Sequence, residues 1–336
     1  MDPSQRLDGL INGFRATQVV RAAAVWGVAD ALAAGPLSAA EVAEQVGADP
    51  PSLHRLLRCL AALGVLTDGG EGRFANSDLG ELLRTDVTGS LHSAAVARPQ
   101  DSWWSAWGQL PAALADGRVP YELARGQSFW DDLDADAAAE SRFNTFMAQK
   151  TTAFLSGLLR HYDFSPARRV IDVGGGTGAL IGGILRAEPG PLGVLVDQAG
   201  GLRGARELLV GLGVHERCEV VVGDFFDVVP SGGDVYILRQ ILHDWPDSRA
   251  EDILRVCRRA MNPGAQLLVI DHALPERVTE GPEARVALES DLHMFVLFGA
   301  RERTERELTA MLETSAFVLD RILPTEPERT LVATAR

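Results

Sequence analysis

Val170-Ile171-Asp172-Val173-Gly174-Gly175-Gly176-Thr177-Gly178 is a hydrophobic run that ends in an acid and breaks into glycines. Four later segments follow in order: Leu195-Val196-Asp197, Gly223-Asp224-Phe225-Phe226, Ile241-Leu242-His243-Asp244-Trp245 and Leu268-Val269-Ile270-Asp271. Most are apolar runs closing on a polar residue, or turns just beyond such a run. Buried parallel strands read this way when their carboxyl ends open onto a site. Glycines let backbone N–H groups approach a ligand, and acids suit a ligand rich in hydroxyl and amine donors. The pattern points to a nucleotide-like cofactor.

The glycine loop alone does not name it. Gly174-x-Gly176-x-x-Ala179, with Asp197 downstream, also fits the relaxed dinucleotide fingerprint, whose acid follows about 20 residues later. Two features favour S-adenosylmethionine over NAD. Asp172 stands just before the glycines, where a pyrophosphate would be repelled but an ammonium and a sulfonium would be welcome. Asp224-Phe225 follows the third strand, where a carboxylate can accept the adenine amino group while a ring packs on the base.

From about residue 164 onward, strands alternate with helices, which predicts an α/β domain with a Rossmann-like doubly wound sheet. Expected strands are 169–173, 193–197, 218–222, 233–239 and 266–271, with a late pair near 317–323 and 329–335. Residues 1–100 read as helices. Leu7, Leu10, Ile11 and Phe14 recur at helical spacing on an alanine-rich background. Ser38 and Glu41 form a capping-box pattern, and Leu53, Leu56, Leu57, Leu60 and Leu63 mark the next helix. Gly64-Val65-Leu66-Thr67 and Arg73-Phe74-Ala75 flank a glycine-rich turn, as in a hairpin. Helices followed by a hairpin make a winged helix. Residues 101–163 form a connecting helical region dense in aromatics.

A winged helix raises DNA binding as a rival function. Residues 1–100 carry eight arginines against eleven acids, and the whole chain has a formal net charge of −14. That surface does not attract a phosphate backbone, so a scaffold and dimer module is the expectation and no nucleic-acid partner is. No apolar run approaches the roughly 20 residues of a membrane span, and the Met1-Asp2-Pro3-Ser4 start has no signal-peptide pattern. A cytoplasmic protein with no membrane partner is expected. Cys59, Cys218 and Cys257 lack metal-ligand spacing and read as buried thiols in a reducing compartment. No acidic cluster suggests a metal. Lys150 is the only lysine, which reads as a compositional bias.

These motifs, with Gly299-Ala300-Arg301-Glu302-Arg303-Thr304, resemble the small-molecule S-adenosylmethionine-dependent O-methyltransferases of the plant caffeate and bacterial polyketide type. The resemblance covers nearly the whole chain. It implies a seven-stranded sheet with the last strand antiparallel, an N-terminal winged-helix-like dimerisation domain over 1–100, a pocket-lining region over 101–163 and a cofactor domain over 164–336. It implies a homodimer methylating a hydroxyl of an aromatic secondary metabolite. Some resembling proteins bind the cofactor but hydroxylate or cyclise instead.

Methyl transfer from a sulfonium needs an acceptor oxygen with a free lone pair. A phenol, with a pKa of about 10, is barely ionised at neutrality. A histidine of ordinary pKa, about 6.5, is mostly neutral and ready to act as base. His243 after the fourth strand is that candidate. A carboxylate on its far ring nitrogen would hold its tautomer, and the resemblance places Asp271 and Glu302 there. Asp271 departs from the commoner glutamate, so Glu302 is expected to be the main partner. Asp244 is expected to fix the loop. Gly174 and Gly176 are expected to contact the methionine part, Asp197 the ribose, Asp224 and Phe225 the adenine, and Arg239 the adenosyl group. Asn144 and Met147 match the family segment over the acceptor pocket, and a thioether packs well on flat rings.

Overall fold

The computed structural model describes residues 2–336, and the chain divides into two compact units between Trp104 and Ser105. In the first unit, the opening helix Pro3–Val25 is capped by Asp2, whose side chain accepts from the Ser4 backbone N–H. Ser38 and Glu41 form a complete capping box at the start of helix Ala39–Val46. Asp49 caps helix Pro50–Ala62. The strands Leu66–Asp68 and Arg73–Asn76 pair antiparallel, and Leu37–Ser38 joins the other edge of Arg73–Asn76. Val42, Leu53, Leu57, Leu60 and Phe74 form the heart of this unit's core. The expected helices and hairpin are therefore present. The structure leaves Cys59 exposed, against the expectation of a buried thiol.

The second unit is built on seven strands: β1 (Arg169–Val173), β2 (Leu192–Asp197), β3 (Cys218–Val222), β4 (Val235–Arg239), β5 (Gln266–Asp271), β6 (Phe317–Leu323) and β7 (Arg329–Ala335). Their order across the sheet is β6-β7-β5-β4-β1-β2-β3. The first five are parallel, while β7 runs antiparallel between β5 and β6. β1, β4 and β5 are almost wholly buried, because helices cover both faces of such a sheet. The chain steps outward from β1 to β3 and then returns to β4 on the other side of β1. That reversal leaves a crevice at the carboxyl ends of β1 and β4.

β4 begins at Val235, two residues later than the sequence pattern indicates. Gly232 has φ +82° and the Gly233 N–H donates to the Tyr236 hydroxyl, so these residues make the turn that enters the strand. Five further helices lie between Asp101 and His161, the longest being Ala137–His161. Among the described residues, no helix is long and apolar enough to cross a membrane.

Candidate active site

The crevice opens into a cavity walled by the glycine loop after β1, the ends of β2 and β4, and one face of helix Ala137–His161. Gly174 and Gly176 have φ of +70° and +57°, a region that side chains rarely enter. A Cβ on Gly174 would stand 2.5 Å from the tip of the Ile241 side chain, which would have to shift, and the positive φ would strain any larger residue there. The Gly176 N–H donates to Asp197 Oδ2 at 2.8 Å, and the Gln198 N–H donates to Oδ1 at 2.7 Å. The acid closing β2 is thereby locked against the loop after β1. Burial raises the Asp197 carboxyl, and the two N–H donors pull it back. Asp172, at 1 % exposure, has one carboxylate oxygen without a hydrogen-bond partner, and burial pushes it up to about 7.

Phe225, Arg239, Asn144 and Met147 also line the cavity. Asn144 is pinned by its Nδ2, which donates to the Gly200 carbonyl at 3.2 Å. Asp224 does not line the wall; its Oδ1 accepts from the Phe226 N–H at 2.8 Å and shapes the turn that presents Phe225. Arg239 closes β4, and its guanidinium is committed to Glu328, a residue without any motif signal in the sequence. The lining charges are Asp134, Glu140, Asp172, Asp197 and Asp244 against Arg239. An acid-rich wall with one neutralised cation suits a positively charged ligand rich in hydroxyl and amine donors, and it opposes a pyrophosphate.

His243, Asp271 and Glu302 come together beside this cavity. The one-turn helix Leu242–Asp244 carries His243 beyond β4. Both Glu302 oxygens lie 3.0 Å from His243 Nδ1, so Nδ1 carries the hydrogen and donates to the carboxylate. Glu302 is fully buried and also accepts from the Ser290 hydroxyl at 2.8 Å, while its own N–H donates to Asp291. Asp271 is 2 % exposed and neither of its oxygens has a hydrogen-bond partner. The contact to Nδ1 is therefore made by Glu302 and not by Asp271.

Asp244 differs from its expected role as a loop residue. It lines the cavity and brings Oδ1 to 3.4 Å from His243 Nε2. The loop is braced instead by Arg303, almost fully buried, which donates to the carbonyls of Leu242 and Trp245 at 2.9 Å each and pairs with Asp247. Arg303 lies within a quoted motif, but a buried arginine facing two carbonyls leaves no trace in sequence spacing.

These neighbours change the histidine. Burial alone would push the imidazole down, but Glu302, Asp244 and Asp271 outweigh it and lift His243 to about 10. Burial pushes Asp244 and Asp271 each up to about 7, against the pull of the imidazolium. His243 drags the Glu302 carboxyl down despite its burial. The expectation of an ordinary histidine, neutral at pH 7, is thus corrected: three carboxylates hold a proton on the ring. Lys150 also matters more than composition implies, because its charge acts on Asp244 and on His272.

Aromatic rings frame the remaining side. Trp130 lies parallel to Trp245 and Phe298, with centroids 6.3 Å and 5.3 Å away, and meets Phe143 edge-on.

Comparison with known proteins agrees with this geometry. An O-methyltransferase domain profile matches residues 107–318, and an O-methyltransferase dimerisation domain profile matches 9–86. The chain is 39 % identical to phenazine O-methyltransferase PhzM of Lysobacter antibioticus, over 94 % of this chain and 91 % of that protein. The chain belongs to the S-adenosylmethionine-dependent O-methyltransferase family. The crystal structure of LaPhzM superposes with a TM-score of 0.94 at 37 % identity, covering 100 % of both chains. The O-methyltransferase NcsB1 from neocarzinostatin biosynthesis, solved with S-adenosylmethionine and 2-hydroxy-5-methyl naphthoic acid, superposes at 0.82 with 32 % identity over 96 % of each chain. The cofactor of this O-methyltransferase is S-adenosylmethionine, and the acid-rich wall fits it.

Proposed function

We propose that this enzyme methylates a hydroxyl of an aromatic secondary metabolite of the polyketide type, with His243 as general base. The observation that carries the proposal is the buried His243–Glu302 pair beside the cofactor cavity, with Nδ1 held at 3.0 Å by both carboxylate oxygens. Glu302 fixes the ring through Nδ1, and Nε2, with Asp244 Oδ1 3.4 Å away, is the nitrogen that serves the acceptor hydroxyl. When bound, S-adenosylmethionine supplies an electrophilic methyl group on its sulfonium. As the acceptor binds, the protonated ring first gives its Nε2 proton to solvent; Nε2 then takes the hydroxyl proton as the acceptor oxygen gains its new bond, and Glu302 stabilises the imidazolium. A ring of pKa near 10 matches a phenol, so proton transfer between them is close to balanced.

Asn144 and Met147 hold the acceptor, with Trp130, Phe143 and Trp245 offering ring faces for a planar substrate. Residues 101–163 thus form the acceptor region, 164–336 the cofactor and chemistry domain, and 1–100 the dimerisation domain. The test is a panel of hydroxylated aromatic acceptors. Equal yields of S-adenosylhomocysteine and an O-methylated product are expected with at least one of them. Hydroxylated or cyclised product without methyl transfer would contradict the proposal.

For the cofactor, Gly174 and Gly176 offer backbone to the methionine part, Asp197 takes the ribose hydroxyls, and Asp224 and Phe225 hold adenine, Asp224 by shaping the turn that carries the ring. Arg239 flanks the adenosyl group. Asp197→Ala is expected to weaken S-adenosylmethionine binding by about 1.5–3 kcal/mol, as for a charge-assisted bond. Calorimetry showing unchanged affinity would remove Asp197 from the site.

The assembly we propose is a homodimer. Leu7, Leu10, Ile11 and Phe14 are 50–64 % exposed along helix Pro3–Val25, and a two-fold pair is the commonest way to cover such a face. The full chain is expected to sediment as a dimer at micromolar concentration. Leu10→Glu with Phe14→Glu should yield monomer or aggregate. A wild-type monomer would refute the assembly.

A further inference from the structure

The cavity that takes a cationic cofactor has one arginine in its acid-rich wall, and that charge works against the cofactor unless a partner cancels it. Arg239 Nε donates to Glu328 Oε2 at 2.8 Å and Nη2 to Oε1 at 2.7 Å. Glu328 is 1 % exposed and Arg239 9 % exposed. The remaining Nη1 donates to Thr151 Oγ1 at 2.7 Å, on the helix that also carries Asn144 and Met147. One guanidinium face rests on Phe154, with the centroid 4.6 Å away. Gln240 completes the pair, its Nε2 donating to Glu328 Oε1 at 2.7 Å. Gln240 has φ +54°, a left-handed backbone unusual for a residue other than glycine.

Register explains why Glu328 is within reach. β7 runs antiparallel beside β5, so its first residue, Arg329, lies opposite Asp271 at the carboxyl end of β5. Glu328 just precedes it and faces the end of β4. Arg239 also acts at a distance on Asp172, across the cavity wall.

We propose that Glu328 is a specificity-determining residue that neutralises Arg239, so that this guanidinium does not discriminate against the sulfonium of S-adenosylmethionine relative to the neutral thioether of S-adenosylhomocysteine. The two ligands differ in charge by that one unit. A guanidinium keeps its charge in proteins, so Glu328→Gln leaves the Arg239 charge without its buried partner in that wall. Such a charge several ångströms away in a partly buried site discriminates on the order of tenfold against a cation. The inference rests on the cofactor and not on the acceptor or the base.

Calorimetric titration of the full-length protein with each ligand separately tests it. In Glu328→Gln, S-adenosylmethionine affinity is expected to fall about tenfold more than S-adenosylhomocysteine affinity. Adding Arg239→Met to that variant should return the ratio of affinities to near the wild-type value, because both charges are then gone. Equal weakening of both ligands in Glu328→Gln would show a packing role only and overturn the proposal, as would a double variant that keeps the skewed ratio. Should Glu328→Gln fail to fold, Arg239→Met alone decides. It leaves Glu328 uncompensated and is expected to raise the ratio of S-adenosylmethionine to S-adenosylhomocysteine affinity, and an unchanged ratio or a greater loss for S-adenosylmethionine overturns the proposal.

Discussion

His243→Ala is expected to lower turnover by about 10²–10⁴-fold while leaving S-adenosylmethionine affinity nearly unchanged. The loss falls on kcat because the ring acts on the acceptor proton and does not belong to the cavity wall. Cofactor affinity serves as the control: His243 is not among the residues lining the cofactor cavity, so a general collapse of the site would weaken cofactor and turnover together. Steady-state kinetics with calorimetry on the same preparation separates the two. Near-normal turnover would mean that positioning of the two substrates suffices.

Glu302→Gln is the second large effect, with turnover falling about 10²–10³-fold, in the direction known for a carboxylate that fixes a catalytic imidazole. Its removal takes away the charge that most raises His243. The sign of the pH effect follows from that. His243 lies above its ordinary value, so its pairing with Glu302 contributes stability fully below about pH 6.5. That contribution is lost as pH rises through about 10. In Glu302→Gln the loss should shift to lower pH, visible in melting curves recorded from pH 6 to 10. Asp271→Asn should cost less than Glu302→Gln, because Asp271 makes no hydrogen bond to the ring. An equal or larger cost for Asp271→Asn would reassign the orienting carboxylate.

Much of the catalytic unit is legible in the sequence because its signals are local. An apolar run ending in an acid and a glycine loop both mark the end of a buried strand, and five such signals in order define the sheet. The Ser38–Glu41 capping box is equally local. What escapes is set by tertiary approach. Glu328 meets Arg239 across 89 residues and Arg303 meets Leu242 across 61, and neither pair has a spacing rule. Asp244 directly follows His243, yet only the one-turn helix turns its carboxylate toward Nε2. The raised His243 proton affinity is hidden for the same reason, since it sums charges from three separate segments.

The base is tested most directly by single-turnover methyl transfer in wild type and His243→Ala, across phenolic acceptors of graded acidity. An acceptor of pKa about 10 needs its proton removed, whereas a nitro-substituted phenol is already ionised at neutral pH. The ratio of wild-type to variant rate is expected to fall from about 10²–10⁴ for the least acidic acceptor towards one for the most acidic. A ratio that stays constant across the series would contradict His243 as the base.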